Sequence, residues 1–369
     1  MFSMQKKKSE ELRATGEDAC FVASNSARGF QSYYDECFNR KEIGRVFVIK
    51  GGPGTGKSRF MREVSDCAVA HGWKRRMIYC SSDADSLDGV ILCKGERSIA
   101  LLDGTAPHVF EPKSPGVREE LINLGDFWNG ELLRSRREEI EECQRAKLSG
   151  YRMAYRYLTA YGEIYNNRAE KLMPYVRWKA LSDYARRLMH PFSDESVFRE
   201  EISLMGSVGM NGRVRFDTYA AHAKQLYWIA DCRGIGAHLM QELYRLAMEK
   251  RLWIRVSRDP ILPDVIDGLF LMKSGVAFVV GREEACGYPH HLISMRRFLK
   301  VSDLRDVRKS VNFDQRMMDA MLGETLAQMQ AVRRAHFELE QIYSSAMDFG
   351  AKEIFTKNFC NRLFDLQNP

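Results

Sequence analysis

The segment Gly51-Gly52-Pro53-Gly54-Thr55-Gly56-Lys57-Ser58 constrains this chain more than any other. It follows Arg45-Val46-Phe47-Val48-Ile49-Lys50, a short apolar, β-branched stretch of the kind that forms a buried strand. After it, Phe60, Met61, Val64, Cys67 and Ala68 recur at helical spacing. Glycines between a strand and a helix predict an α/β fold with a mostly parallel sheet and the loop at its carboxyl edge.

Backbone N–H groups at such a loop and helix N-terminus form a concave anion site. Gly51, Gly54 and Gly56 carry no side chain to block a phosphate or to forbid the backbone angles of the loop. In this pattern Lys57 is expected to reach the β- and γ-phosphates and Ser58 to place its hydroxyl on Mg²⁺. The expected nucleotide-binding set is therefore Gly51, Gly52, Pro53, Gly54, Thr55, Gly56, Lys57 and Ser58, with ATP and Mg²⁺ as cofactors. No Asn-Lys-x-Asp sequence is present, so the usual route to guanine selectivity is missing.

Such a metal usually needs a carboxylate at the end of a second buried strand. Ser98-Ile99-Ala100-Leu101-Leu102-Asp103 supplies one, making Asp103 the second expected metal ligand beside Ser58. Another strand, Met77-Ile78-Tyr79-Cys80, opens into Asp83, Asp85 and Asp88. Carboxylates there face the ligand crevice of an open α/β sheet, or else cap turns and a short helix. Gly104 follows Asp103 where many work-performing ATPases carry a water-activating glutamate. Turnover is then slow or uses another base, with Asp83, Asp85 and His108 as candidates. The expected catalytic set is Lys57, Asp103, Asp83 and Asp85.

At 369 residues with 45% hydrophobic content the chain exceeds the size, about 250–300 residues, at which single cores stop growing. Two domains are expected. The net charge of +7 is scattered among acids, which suits a phosphate ligand and argues against a nucleic-acid tract. Nine separate cysteines without a C-x-x-C pair point to a reduced, cytoplasmic protein. Lys6, Lys7 and Lys8 lead into polar rather than apolar residues, and no apolar run approaches the roughly 20 residues of a membrane span.

The chain repeats itself. Tyr227 through His238 aligns without gaps to Phe47 through Ser58, placing Gly234 on Gly54 and Gly236 on Gly56. Asp267-Gly268-Leu269-Phe270-Leu271 repeats Asp88-Gly89-Val90-Ile91-Leu92, and Ile342-Tyr343 echoes Ile164-Tyr165. Ordered matches of this kind indicate a tandem duplication. The expected units are an intact phosphate-loop domain over 15–200 and a degenerate repeat over 201–369. In this alignment Lys57 becomes Ala237, Ser58 becomes His238, Gly51 becomes Asp231 and Asp103 becomes Val280. The acid would repel phosphate, so the second half is expected to be a scaffold or regulator. Arg233, Arg258 or Arg282 could reach the first site from it.

Each half carries a helical arm. Tyr151, Ala154, Tyr155, Leu158, Tyr161 and Tyr165 share one face, and Leu326, Met329, Val332, His336, Leu339 and Tyr343 share another. Either the arms bury these faces against each other, or they offer them to a partner protein or nucleic acid. The cluster Cys286-Gly287-Tyr288-Pro289-His290-His291 lacks a second ligand pair, so no zinc is assigned.

With Asn25-Ser26-Ala27-Arg28-Gly29-Phe30, the loop 51–58, Cys80-Ser81-Ser82-Asp83 and Leu102-Asp103-Gly104-Thr105-Ala106-Pro107-His108, the chain resembles a family of uncharacterised bacterial P-loop ATPase-like proteins built from two tandem nucleotide-binding halves. The resemblance implies two P-loop NTPase-like domains with long helical appendages, and a phosphate loop in each half. The eroded second loop departs from that pattern. Arg28 would contact nucleotide, the other half, or a surface acid. The expectation is an Mg-dependent ATPase using the first site. A small-molecule or nucleotide kinase and a nucleotide-dependent binding module with little turnover are the alternatives.

Overall fold

Val46, Phe47, Val48 and Ile49 are completely buried, as a strand covered on both faces requires. In the computed structural model, which describes residues 11–13, 17–107, 110–193, 198–231, 233–281 and 287–364, this strand lies inside a six-stranded sheet. Its strands are β1 (Asp18–Phe21), β2 (Arg45–Lys50), β3 (Lys74–Tyr79), β4 (Leu87–Lys94), β5 (Arg97–Asp103) and β6 (Glu119–Asn123). They are ordered β1-β3-β4-β5-β2-β6, and only β4 runs antiparallel to its neighbours.

A second six-stranded sheet repeats this plan with β7 (Arg199–Ile202), β8 (Gln225–Ala230), β9 (Trp253–Arg258), β10 (Ile266–Leu271), β11 (Val276–Gly281) and β12 (His291–Ser294). The order is β7-β9-β10-β11-β8-β12, and β10 is again the antiparallel strand. Even the register irregularity recurs, between Ile78 and Tyr79 and between Ser257 and Arg258. The chain is thus a mixed α/β protein with two mostly parallel sheets and long helices.

Six helices matter for the site: α1 (Lys57–Ala70), α2 (Arg137–Leu172), α3 (Trp178–Met189), α4 (Gly236–Glu249), α5 (Arg308–Ser345) and α6 (Phe349–Phe364). The long helices α2 and α5 run antiparallel along each other, with Ile140 against Leu339 and Ile342 at one end and Lys171 bonded to Asp314 near the other. They pack tightly at Gly150, where a β-carbon would lie 2.6 Å from Val332. Half of the face expected on α5, namely Met329, Val332 and Leu339, is buried.

The helices that follow the arms are exchanged between halves. Leu181, Ala185 and Met189 of α3 join Ile229, Leu239 and Ile254 in the core of the second sheet. Phe359, Cys360 and Phe364 of α6 join Phe47, Phe60 and Val64 in the core of the first. The Phe359 ring meets Phe47 edge-on at 5.0 Å between centroids. Each sheet therefore completes its core with a helix that follows the other sheet in sequence.

Loops are exchanged as well. The hairpin Gly206–Phe216 of the second half caps the turn after β3, with Met210 N–H donating to Ser82 O at 2.7 Å and Ala84 N–H donating to Asn211 Oδ1 at 2.8 Å. The hairpin Ala23–Ser32 of the first half reaches the turn after β9, where Ala27 N–H donates to Ile261 O at 2.9 Å. Arg28 pairs there with Asp264 at the surface.

Between the sheets lies a square of charges. Arg76 on β3 bonds Asp18 at 2.9 Å and Glu201 at 3.1 Å, and Arg255 on β9 bonds Glu201 at 3.2 Å and Asp18 at 3.1 Å. Among the described residues, no helix is long and apolar enough to cross a membrane. Glu201→Ala leaves two largely buried guanidiniums short of counter-charge and is expected to cost about 3–5 kcal/mol of unfolding free energy, read from denaturant melts. Arg28→Ala, which removes an exposed pair, should stay within about 1 kcal/mol of the parent.

Candidate functional site

From β2 the backbone crosses Gly51–Gly56 and enters α1 at Lys57. Gly54 and Gly56 hold φ of 72° and 79°, left-handed angles that a side chain would strain. At Gly54 there is also no room, since a β-carbon would sit 2.5 Å from the Glu340 carbonyl oxygen on α5. Thr55 Oγ1 donates to Gly52 O at 2.8 Å, and Thr105 Oγ1 to Gly51 O at 3.0 Å. The Lys57 ammonium lies inside the loop, donating to Gly51 O and Gly52 O at 2.8 Å each. Its third neighbour is Asp103, at 3.6 Å. Ser58 Oγ accepts from Leu87 N–H at 2.9 Å, which ties α1 to the start of β4.

Asp103 ends β5 beside β2, with one oxygen accepting from Thr105 N–H at 2.8 Å. Burial pushes its carboxyl above the ordinary value of 3.8, while Lys57 draws it down and Asp88 adds to the rise. The half-buried Cys80 is held well above its ordinary value, first by desolvation and then by Asp88, so its thiol stays protonated. Asp83 lines the cavity described below, but its carboxylate accepts from Ser86 Oγ at 2.8 Å and faces Asp85 N–H at 3.3 Å, the geometry of a turn cap. Asp85 is not among the lining residues, and its carboxylate accepts from Arg13 at 2.7 Å and Asn211 at 2.8 Å. His108 lies outside the described residues. At Gly104 a β-carbon would fall 2.4 Å from Val48 Cγ1, so this position cannot hold a glutamate as the fold stands.

Lys57, Ser58 and Asp103 open on one cavity of about 1280 Å³. Its walls come from both halves: Asn25, Cys80 and Asp88 from the first, Met210 from the second, and residues of both long helices. On α2 these include Lys147, Tyr151 and Tyr155, and on α5 His336, Phe337 and Glu340. Tyr151 and Tyr155 stack at 6.2 Å between centroids, and Tyr155 OH donates to Asn25 Oδ1 at 2.8 Å. Burial raises the Tyr155 hydroxyl to about 12.

Sequence reasoning placed His336 on an apolar face and passed over Lys147 and Glu340. The available signal was Glu340 one helical turn after His336 in an arm otherwise spaced for packing. Arg233 and Arg258 do not line this cavity, and Arg282 lies outside the described residues. No cluster of three metal-ligating side chains occurs among the described residues. The group Cys286 to His291 lies partly outside them.

The second loop is built differently. Leu239, Met240, Leu243 and Ala247 of α4 match Phe60, Met61, Val64 and Ala68 in burial, one residue short of the spacing that relates Phe47 to Tyr227. The gapless alignment therefore fails inside the loop. The helix puts Gly236 in place of Lys57 and Ala237 in place of Ser58, and His238 follows. Strand register keeps Val280 opposite Ile229 where Asp103 stands opposite Ile49. Asp231 turns its carboxylate into the loop, accepting from Gly234 N–H at 2.9 Å and Gly236 N–H at 2.7 Å. Burial raises its carboxyl, against the pull of those two N–H groups, Arg168 and His238.

The raised Asp103 gives a test by linkage. A carboxyl whose folded value lies above its unfolded one contributes stability that is fully present below the unfolded value and lost as pH rises through the folded one. Asp103→Asn removes that dependence, so the stability difference between variant and parent should move in the variant's favour from acid to neutral pH, read from melting temperatures. Compared with protein-family models, curated proteins and solved structures, the chain matches none.

Proposed function

We propose that the chain binds a nucleoside triphosphate, ATP with Mg²⁺, at the Lys57 cavity and hydrolyses it, as a P-loop ATPase with one working site. One observation carries the reading. An ammonium is held inside a loop of left-handed glycines at a helix N-terminus, 3.6 Å from a carboxylate that ends the neighbouring strand, at the mouth of a large cavity.

The residues present fit the group. Loop N–H groups and the α1 N-terminus favour phosphate oxygens. Lys57, whose donors now rest on two carbonyls of its own loop, is placed to transfer them to a terminal phosphate. Ser58 Oγ and the Asp103 carboxylate are the protein oxygens for Mg²⁺, which commonly takes only one or two carboxylates besides substrate oxygens and water. Bound there, the metal would neutralise charge on the transferring group. The fold excludes a base at position 104, and Asp85 serves the contact between halves. Of the candidate bases Asp83, Asp85 and His108, Asp83 is then the one that lines the cavity and could orient a nucleophile. In the second half, Asp231 supplies the anion that a phosphate would otherwise supply, so that loop acts as scaffold.

A second reading, transfer of the phosphoryl group to a small molecule, is favoured by cavity size. About 1280 Å³ exceeds the roughly 300–1,000 Å³ of most small-ligand sites and leaves room for an acceptor beside Tyr151 and Tyr155.

Calorimetric titration with Mg-ATP should give one site per chain, abolished in Lys57→Ala, and steady-state phosphate release should vanish in the same variant. Two sites per chain, or equal binding by Lys57→Ala, would sink the proposal. ADP formation only when a metabolite is added would select the second reading.

A further inference from the structure

Three side chains in the cavity form a chain that neither half could build alone. His336 Nδ1 on α5 lies 3.1 Å from Lys147 Nζ on α2, and His336 Nε2 lies 3.4 Å from Glu340 Oε1. An ammonium only donates, so Nδ1 accepts from Lys147 and the Nε2 proton faces Glu340. The far end of the chain lies against the glycine loop, where the Glu340 backbone packs on Gly54; burial works against the Glu340 carboxylate, while His336 and the Gly54 N–H draw it below its ordinary value. Lys147 also feels the charge of Lys57, which works against its own protonation. Two cations thus face one cavity, with a single carboxylate from the other half resting between Lys147 and the loop.

The second half supplies an independent observation. In the loop that corresponds to 51–56, Gly234 gives its N–H to the Asp231 carboxylate at 2.9 Å. In both halves a protein carboxylate thus stands at the N–H groups of this loop. Asp231 belongs to its own loop and is held by two of its N–H groups, those of Gly234 and Gly236. Glu340 comes from a helix of the opposite half, keeps a third of its side chain exposed, and can leave by rotation of its side chain.

We propose that Lys147 is a second ligand-contacting cation of this site, and that Glu340 occupies the place of the ligand's terminal phosphate until the ligand arrives. His336 is a positioning residue that holds the Lys147 ammonium over the loop. The inference rests on the polyphosphate reading above. Ligand entry would pass Lys147 and the Gly54 N–H from Glu340 to phosphate oxygens, loosening α5 from the loop it now covers.

The test titrates the full chain with inorganic tripolyphosphate and, separately, with Mg-ATP, comparing Lys147→Met, Lys147→Arg and Glu340→Gln with the parent. Lys147→Met should weaken both ligands by roughly ten- to hundredfold, the worth of a charge-assisted contact. Glu340→Gln should tighten both by roughly tenfold, because the competitor has lost its charge. A merely structural role would weaken both variants alike.

The groups facing Lys147 are Lys57 from α1, Cys80 from the end of β3, Cys143 on its own helix, and His336 and Glu340 from α5. Burial depresses the Lys147 proton affinity. Parent affinity should therefore fall at alkaline pH, and Lys147→Arg, which keeps its proton, should remove that fall. Lys147→Arg and the isosteric Glu340→Gln decide the matter if Lys147→Met fails to fold. Unchanged tripolyphosphate affinity in Lys147→Met, or no tightening in Glu340→Gln, overturns the inference while leaving ATP binding to Lys57 intact. A parent that binds tripolyphosphate but not ATP keeps the inference and overturns the nucleotide reading. A parent that binds neither overturns both.

Discussion

Arg76 and Arg255 each hold the same two carboxylates, Asp18 and Glu201, and those four charges come equally from the two halves. Strand register pairs Asp18 with Arg76 and Glu201 with Arg255 inside their own sheets, so the two crossing bonds join the sheets, beside the reciprocal backbone bonds of Phe21 and Leu204. Such groups are costly to bury singly and tolerable only when every partner is present. The arrangement fixes β1 and β7 against each other. From that edge the hairpins can reach across to the opposite turns, and the long helices leave each sheet on courses that bring them together.

The site follows from this exchange. β2, β5 and α1 place Lys57, Ser58 and Asp103, but the cavity they open on is closed by α2 and α5 together and by a hairpin of the second half. Glu340 and Tyr343 press on the glycine loop from a helix that follows the second sheet, while Tyr165 and Arg168 press on Gly234 from the helix that follows the first. The halves are therefore near copies in backbone and opposites in charge. One loop keeps a lysine inside it, and the other has folded a carboxylate into the same kind of space.

The loop with its strand and helix was legible through local periodicity and the repeat through ordered matches far apart in the sequence, while pairing of the arms was one of two readings that their apolar faces allowed. β4 and β10 as antiparallel strands were not, since an apolar run carries no direction. The one-residue contraction around Gly236 was hidden for a different reason: glycines aligned by identity masked the helix core, which Leu239 and Met240 fix by burial. The exchange of α3 and α6 left no mark, because an amphipathic helix reads the same whichever sheet it covers. Lys147 and Glu340 were passed over because charged residues on a long helix ordinarily face water, and only the tertiary packing brings them over Gly54.

The helix exchange also sets an order of assembly during synthesis. The core of the first sheet includes Phe359, Cys360 and Phe364, so it stays open on one side until α6 has left the ribosome. The second sheet, in contrast, finds α3 already made when its own strands emerge. Contacts of such long sequence separation form late and leave apolar surface uncovered meanwhile. The half that carries Lys57 is thus the first to be translated and the last to be finished. A chain cut short anywhere before α6 would present the glycine loop on an incomplete core.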